Sequence, residues 1–182
     1  ASDSHPGWHA ILRYIHLDKG VSTRVLVTFS IMALFTLFAT TPLAFMRYKE
    51  AWLLALLAGG LISPSGTGRF FLGRPFLVSA ALLLLVCLTW KHFRKEKTEL
   101  KWWGIVIGAA SVASWIHGAW YLWLFPLSCF ALAREWRALW RLAVCLGTGV
   151  LIGAAMTGQP LTYLKRGLFV VLHAPDQRLL DA

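Results

Sequence analysis

Charged residues are scarce in this chain. They make up 14% of its 182 residues, where an ordinary soluble domain carries about 25%. Acids are scarcest, with eight Asp and Glu against eighteen Lys and Arg, a net charge of +10. The three cysteines, Cys87, Cys129 and Cys145, all lie inside apolar runs without metal-ligand spacing and read as small core residues. A phosphate-binding glycine loop, a G-x-S-x-G nucleophile turn, a dinucleotide fingerprint and an H-E-x-x-H zinc motif are all missing. No charge falls at the middle of an apolar run, which argues against a proton-driven transporter or an ion channel. No paired histidines fall within the runs, which argues against bound haem.

What fills the chain instead is apolar. Hydrophobic residues reach 58% and the mean hydropathy is +0.62. A soluble protein of this length could not bury so much apolar surface, whereas a bilayer solvates it. The expected fold class is therefore all-α, a polytopic membrane bundle of about six transmembrane helices with an interfacial helix on the outer face. The spans are read at residues 25–46, 51–62, 75–90, 102–116, 119–132 and 142–156. Several fall short of the roughly 20 residues that cross a bilayer. The second is short enough to be re-entrant. Three regions follow: an outer N-terminal loop (1–24), the bundle (25–156), and an outer interfacial helix with its tail (157–182). No internal repeat or low-complexity tract is present, and residues 63–68 read as a loop by their turn residues.

Basic residues sort the loops into two kinds. Arg47 and Lys49 form one cluster; Lys91, Arg94, Lys95, Lys97 and Lys101 a second; Arg134, Arg137 and Arg141 a third. Poorly charged junctions alternate with them, at 63–74, at His117-Gly118 and at 157–160. The positive-inside rule turns the basic clusters towards the cytoplasm, where anionic lipid attracts them. The positive charge thus implies a lipid bilayer as partner, not nucleic acid. The expected location is a bacterial inner membrane, with residues 1–24 on the periplasmic or extracellular side. An outer N-terminus that does not open on Met is expected to follow an upstream helix in a longer protein.

The residues that carry chemistry gather on the outer side. Asp3 is the only acid among the first seventeen residues, and His5 and His9 follow it. A carboxylate there can serve as a base or help hold a divalent metal; an ordinary solvated turn at Pro6-Gly7 is the alternative. Arg69 and Arg74 precede the third span. A guanidinium suits a phosphate, or simply lipid headgroups. His117 lies in a tight apolar turn before Gly118, either as a functional group or as a histidine that closes the hairpin. Trp102, Trp103, Trp115, Trp120, Trp123, Trp136 and Trp140 fit an interfacial belt, and the outer three also fit a stacking platform for sugar or isoprenoid. Small residues on the fourth and sixth spans suit close helix contacts: Gly104, Gly108, Ala109, Ala110, Gly147, Gly149, Gly153 and Ala154.

These outer residues resemble the GT-C-type polytopic membrane glycosyltransferases and their uncharacterised relatives. Asp3, Trp8 and His9 are similar to an Asp-x-x-x-Trp-His motif in the family's first outer loop. The stretch from Gly73 through Arg74-Pro75 to Ser79 resembles the Arg-Pro segment that starts a later span. Trp115-Ile116-His117-Gly118 is similar to a Trp-x-x-His-Gly turn. Gly158-Gln159-Pro160-Leu161, with Tyr163, resembles an Asn-Pro-x-Gly stretch. The chain departs in having no second acid beside Asp3 and in carrying Gln159 for Asn.

The resemblance implies transfer of a sugar from a polyprenyl-phosphate donor to an acceptor outside the membrane. Asp3 would be the catalytic base or, with His5, would hold Mg or Mn. His9, Arg74, His117 and Gln159 would bind substrate, with Arg74 and His117 at the donor phosphate. A non-catalytic transmembrane subunit or scaffold, packed against protein partners in the membrane, is the competing expectation; a lipid or small-solute transporter is the third.

Overall fold

The computed structural model describes residues 6–18, 20–62 and 75–180. Among these residues the chain is helical throughout and forms no strand. Helix α1 is Pro6–Arg13, which runs into a wide π-type turn at Tyr14–Asp18. Helix α2 is Thr23–Thr40, followed by a 3-10 turn at Pro42–Ala44. Then come α3 (Lys49–Ile62), α4 (Phe76–Arg94) and α5 (Leu100–Ile116). A 3-10 turn at Trp120–Trp123 leads into α6 (Leu124–Leu132). Helices α7 (Trp136–Met156) and α8 (Pro160–Leu180) complete the order.

Among the described residues, three helical segments are long and apolar enough to cross a membrane: Thr23–Ala44, Phe76–Arg94 and Trp136–Met156. Leu100–Ile116 and Trp120–Leu132 are equally apolar but shorter. Their outward faces are what a bilayer would solvate. Met32, Leu54, Leu57, Phe125 and Leu151 are each more than 60% exposed. So much exposed hydrocarbon would be a severe aggregation hazard in water and is ordinary in lipid.

The core lies between α4, α5 and α7. Phe93, Leu77, Val86, Val106, Leu142 and Leu146 are almost fully buried there. The crossing of α5 with α7 depends on two glycines. A Cβ on Gly149 would collide with the Ala110 methyl, and one on Gly153 would lie 2.7 Å from both the Ser111 carbonyl oxygen and Ser114 Cβ. Bare backbone at these positions lets the helices approach closely. Gly104, Gly108 and Gly147 face open space instead, so only part of the small-residue pattern builds this contact.

Helix ends follow local chemistry. Ser22 sits in extended conformation and its hydroxyl caps α2 at the Val25 amide. Gly158 takes φ +75°, a left-handed geometry that ends α7 and turns the chain into α8. Arg134, at φ 56°, makes the same reversal between α6 and α7, and the Glu135 amide donates back to the Phe130 carbonyl.

The helices run several residues past the apolar spans read from sequence. Helix α4 continues to Arg94 and α7 begins at Trp136, because long basic and indole side chains at a helix end can reach polar surroundings without breaking the helix. The N-terminal segment is not all loop. Helix α1 buries Trp8 on the core, with Ile11 and Leu12 packed beside it at helical spacing. Helix α3 packs on the 3-10 turn that follows α2, and the Trp52 indole donates to the Ala39 carbonyl at 2.7 Å.

Candidate functional site

Contacts sort the loops into two ends, as the charge pattern does. At the basic end, Arg94 pairs with Glu135 at 3.1 Å and His92 stacks on Trp102 with ring centroids 3.9 Å apart. Arg141 ties α7 to the last turn of α4 and the residues after it through four hydrogen bonds.

The opposite end gathers the His117 turn, helix α1, the start of α4 and the start of α8. Gly7 of α1 lies flat on Trp115, close enough that a Cβ would reach within 2.7 Å of the Trp115 carbonyl oxygen. The Tyr163 hydroxyl of α8 donates to the Ser114 carbonyl at 2.7 Å. Gly167, one turn further along α8, abuts the Trp120 indole edge. Ser79 Oγ of α4 meets His117 Nδ1 at 2.7 Å. Four elements far apart in sequence are thereby pinned around one half-buried histidine.

This end is also rich in buried polar atoms. Ser114 Oγ, Trp120 Nε1 and Trp123 Nε1 have no hydrogen-bond partner among the described residues. Below it, an apolar groove of about 250 Å³ opens between α2, α4 and α5. Leu37, Val78, Leu82, Leu85, Gly108 and Val112 line it. Through Val78, the chain neighbour of Ser79, the groove is lined by the same helix that carries Ser79. A neutral imidazole can donate one hydrogen bond and accept another. Together with an apolar groove on the same helix as Ser79, this arrangement suits an amphiphile with a polar head and a long chain.

The sequence-predicted residues fall unevenly around this end. His117 lies within it. His9 is exposed on α1. Gln159 is also exposed; its amide donates to Thr157 Oγ1 and its carbonyl accepts from the Tyr163 amide, so its recorded bonds shape the entry to α8. Asp3, His5, Arg69 and Arg74 lie outside the described residues. Both donors named for Mg or Mn, Asp3 and His5, are thus outside the described residues, and among the described residues no three His, Cys, Asp or Glu converge on a metal position. Ser79 and Tyr163 were quoted within motifs but given no role by the sequence. Their partners stand 38 and 49 residues away, and no local pattern announces such pairs.

Tyr163 yields a prediction. Burial pushes its phenol from about 10 up to about 12. Only the protonated phenol can donate to Ser114. A folded value above the unfolded one means the stabilisation is complete below about pH 10 and is lost as pH rises through about 12. Ultraviolet titration should show one of the four tyrosines ionising last, and Tyr163→Phe should remove that late step. Tyr163→Phe should also cost about 1 kcal/mol, seen as faster proteolysis of α8. A tyrosinate signal from Tyr163 at ordinary pH would refute the anchor.

No protein-family model, curated protein or solved structure matches the chain.

Proposed function

We propose that this chain is a membrane glycosyltransferase-like protein of about six spans that acts at the His117 end, on the outer face, on a polyprenyl-phosphate sugar. The observation that carries the reading is the Ser79–His117 bond, made by the helix that also lines an apolar groove. The donor's isoprenoid chain would follow the groove. Its phosphate would accept a hydrogen bond from His117, with Arg74 as the cation. In the transfer, the acceptor hydroxyl oxygen bonds to the sugar's anomeric carbon as the bond from that carbon to the phosphate oxygen breaks. Polyprenyl phosphate leaves with the bonding electrons, and the acceptor's proton passes to the Asp3 carboxylate.

Full-length protein in proteoliposomes, given a labelled polyprenyl-phosphate sugar and a cell-envelope acceptor fraction, tests this. Asp3→Asn should lower transfer by about 10²–10⁴-fold. His117→Ala should lower it by about 10²-fold, as expected when one electrostatic partner of a leaving phosphate is removed. Wild-type rates in both variants would refute the assignment.

A second reading has its own support. Gly104 and Gly108 lie one helical turn apart on an open face of α5, and α3 exposes Leu53, Leu54 and Leu57. Such surfaces suit a non-catalytic subunit packed against other membrane proteins. Unchanged glycan assembly with Asp3→Asn, together with loss of a co-purifying partner with Gly104→Leu, would favour it.

A further inference from the structure

Helix α8 has three different sides. One is turned to the bundle: the Tyr163 hydroxyl donates to the Ser114 carbonyl, Leu164 packs against the core and Gly167 abuts the Trp120 indole. A second side carries Leu161, Leu168 and Leu172, seven and four residues apart, a spacing that lines them up on one stripe of an α-helix. All three are exposed, Leu161 to 71% and Leu172 to 63%. Thr162 and Arg166, four residues apart and also exposed, make a polar third side. A helix sunk in hydrocarbon is apolar all round, and one bathed in water is polar on every free face. One apolar and one polar free side is the pattern of a helix lying in the membrane–water boundary.

The fold brings α8 to that boundary. Helix α7 has 21 residues, about 31 Å of helix, close to the roughly 30 Å of a bilayer's hydrocarbon core. A crossing by α7 therefore ends near Met156, and Gly158 reverses the chain there before Pro160 opens α8. The two underside contacts, at Tyr163 and Gly167, are one helical turn apart. They reach the last turn of α5 and the 3-10 turn before α6, so α8 passes across the end of the bundle. Exposed apolar surface is continuous through the reversal, from Leu151 and Met156 on α7 to Leu161 on α8.

Lys165 chooses between lipid and protein as the cover for the stripe. It is exposed and lies four residues after Leu161 and three before Leu168, among the leucines. In the core of a protein interface its ammonium would lose water and need a carboxylate, and lysine is depleted there. At a lipid surface the same side chain lays its methylenes along the leucines and carries its charge up to the phosphates.

We infer that α8 docks on a phospholipid surface at the His117 end of the bundle, with Leu161, Leu168 and Leu172 among the acyl chains and the Lys165 ammonium at the lipid phosphates. The docking holds whether or not this end transfers a sugar. It keeps α8 flat across the bundle, where Tyr163 and Gly167 fasten Ser114 and Trp120.

The test uses the whole protein in nanodiscs of phosphatidylcholine and phosphatidylglycerol. A photoreactive p-benzoylphenylalanine replaces Leu161, Leu168, Leu172 or Thr162, one position at a time, and mass spectrometry identifies what each attaches to on irradiation. The three leucine positions should yield phospholipid adducts, and the Thr162 position should lose them. In a second arm, at low salt, Lys165→Gln should lower the ratio of phosphatidylglycerol to phosphatidylcholine among the Leu168-position adducts by up to about fivefold, the weight of one basic residue at an anionic surface. Lys165→Arg should keep the ratio.

Adducts to a second copy of the chain at the leucine positions, or an absence of lipid adducts there, would overturn the docking. So would equal lipid labelling at Thr162, which would mean hydrocarbon on every side, or a ratio that ignores Lys165→Gln. Folding of each labelled chain is checked by the late ionisation of Tyr163. Should the probe at 168 disturb it, positions 161 and 172 carry both arms.

Discussion

Gly153→Ala is expected to destabilise the bundle by about 1–3 kcal/mol, the usual cost of forcing one methyl into a closed contact. The position leaves no easy relief. The added Cβ would lie 2.7 Å from the Ser111 carbonyl oxygen, 2.7 Å from Ser114 Cβ and 3.1 Å from the Trp115 amide. Two of those neighbours are main chain, and no flexible side-chain tip can swing away. Helix α5 must therefore move off α7. Ser114 and Trp115 hold Tyr163 and Gly7, so the shift also loosens the His117 end. Gly147→Ala is the control on the same helix. Nothing lies within 4 Å of its Cβ position, and alanine favours a helix over glycine by up to about 1 kcal/mol. That variant should be neutral to mildly stabilised. Unfolding by SDS in mixed micelles compares the two. Equal midpoints would mean the α5–α7 contact is not closed as described.

Hydropathy made the apolar helices legible because a 20-residue apolar run leaves few alternatives in water or lipid. Their ends were less so. Arg94 ends α4, and Arg137 and Arg141 lie in the first turns of α7, so spans drawn by hydropathy leave these charged turns out. Helix α1 escaped that reading because eight residues are too few to raise a window average, although Trp8, Ile11 and Leu12 have helical spacing. The small residues of α5 and α7 announced close packing without saying which face would pack. Gly149 and Gly153 of α7 meet α5, whereas Gly147 of α7 and Gly104 and Gly108 of α5 face open space; a helix with apolar residues all round gives the sequence no way to choose.

At the candidate site, His117 was visible because a histidine in an apolar turn is costly and therefore conspicuous. Its partner was not. Ser79 looks in sequence like any helical serine, satisfied on its own backbone, and only the packing of α4 against the His117 turn reveals that it is not.

Arg141 was legible as a positive charge and illegible as a cap. Its Arg141→Ala variant should lose about 2–4 kcal/mol, because the guanidinium holds the unsatisfied end of α4. One terminal nitrogen donates to the Phe93 carbonyl at 3.1 Å, the Lys95 carbonyl at 2.5 Å and Thr98 Oγ1 at 2.9 Å. The other donates to the Glu96 carbonyl at 2.7 Å. The Phe93 carbonyl belongs to the last turn of α4, at its negative pole, and the Lys95 and Glu96 carbonyls to the extended exit that follows. Lysine carries the charge without the planar fork, so Arg141→Lys should recover at most about half of the loss. Arg137→Ala, an exposed base on the same helix, should stay within about 0.5 kcal/mol of wild type. Salt separates a cap from a surface ion pair. The partners of Arg141 are neutral, so the Arg141→Ala deficit should persist from low to high ionic strength, whereas a screened ion pair would fade. A deficit that vanishes in high salt, or that Arg141→Lys fully repairs, would show that charge alone, and not the fork on four oxygens, fastens α7 to the end of α4.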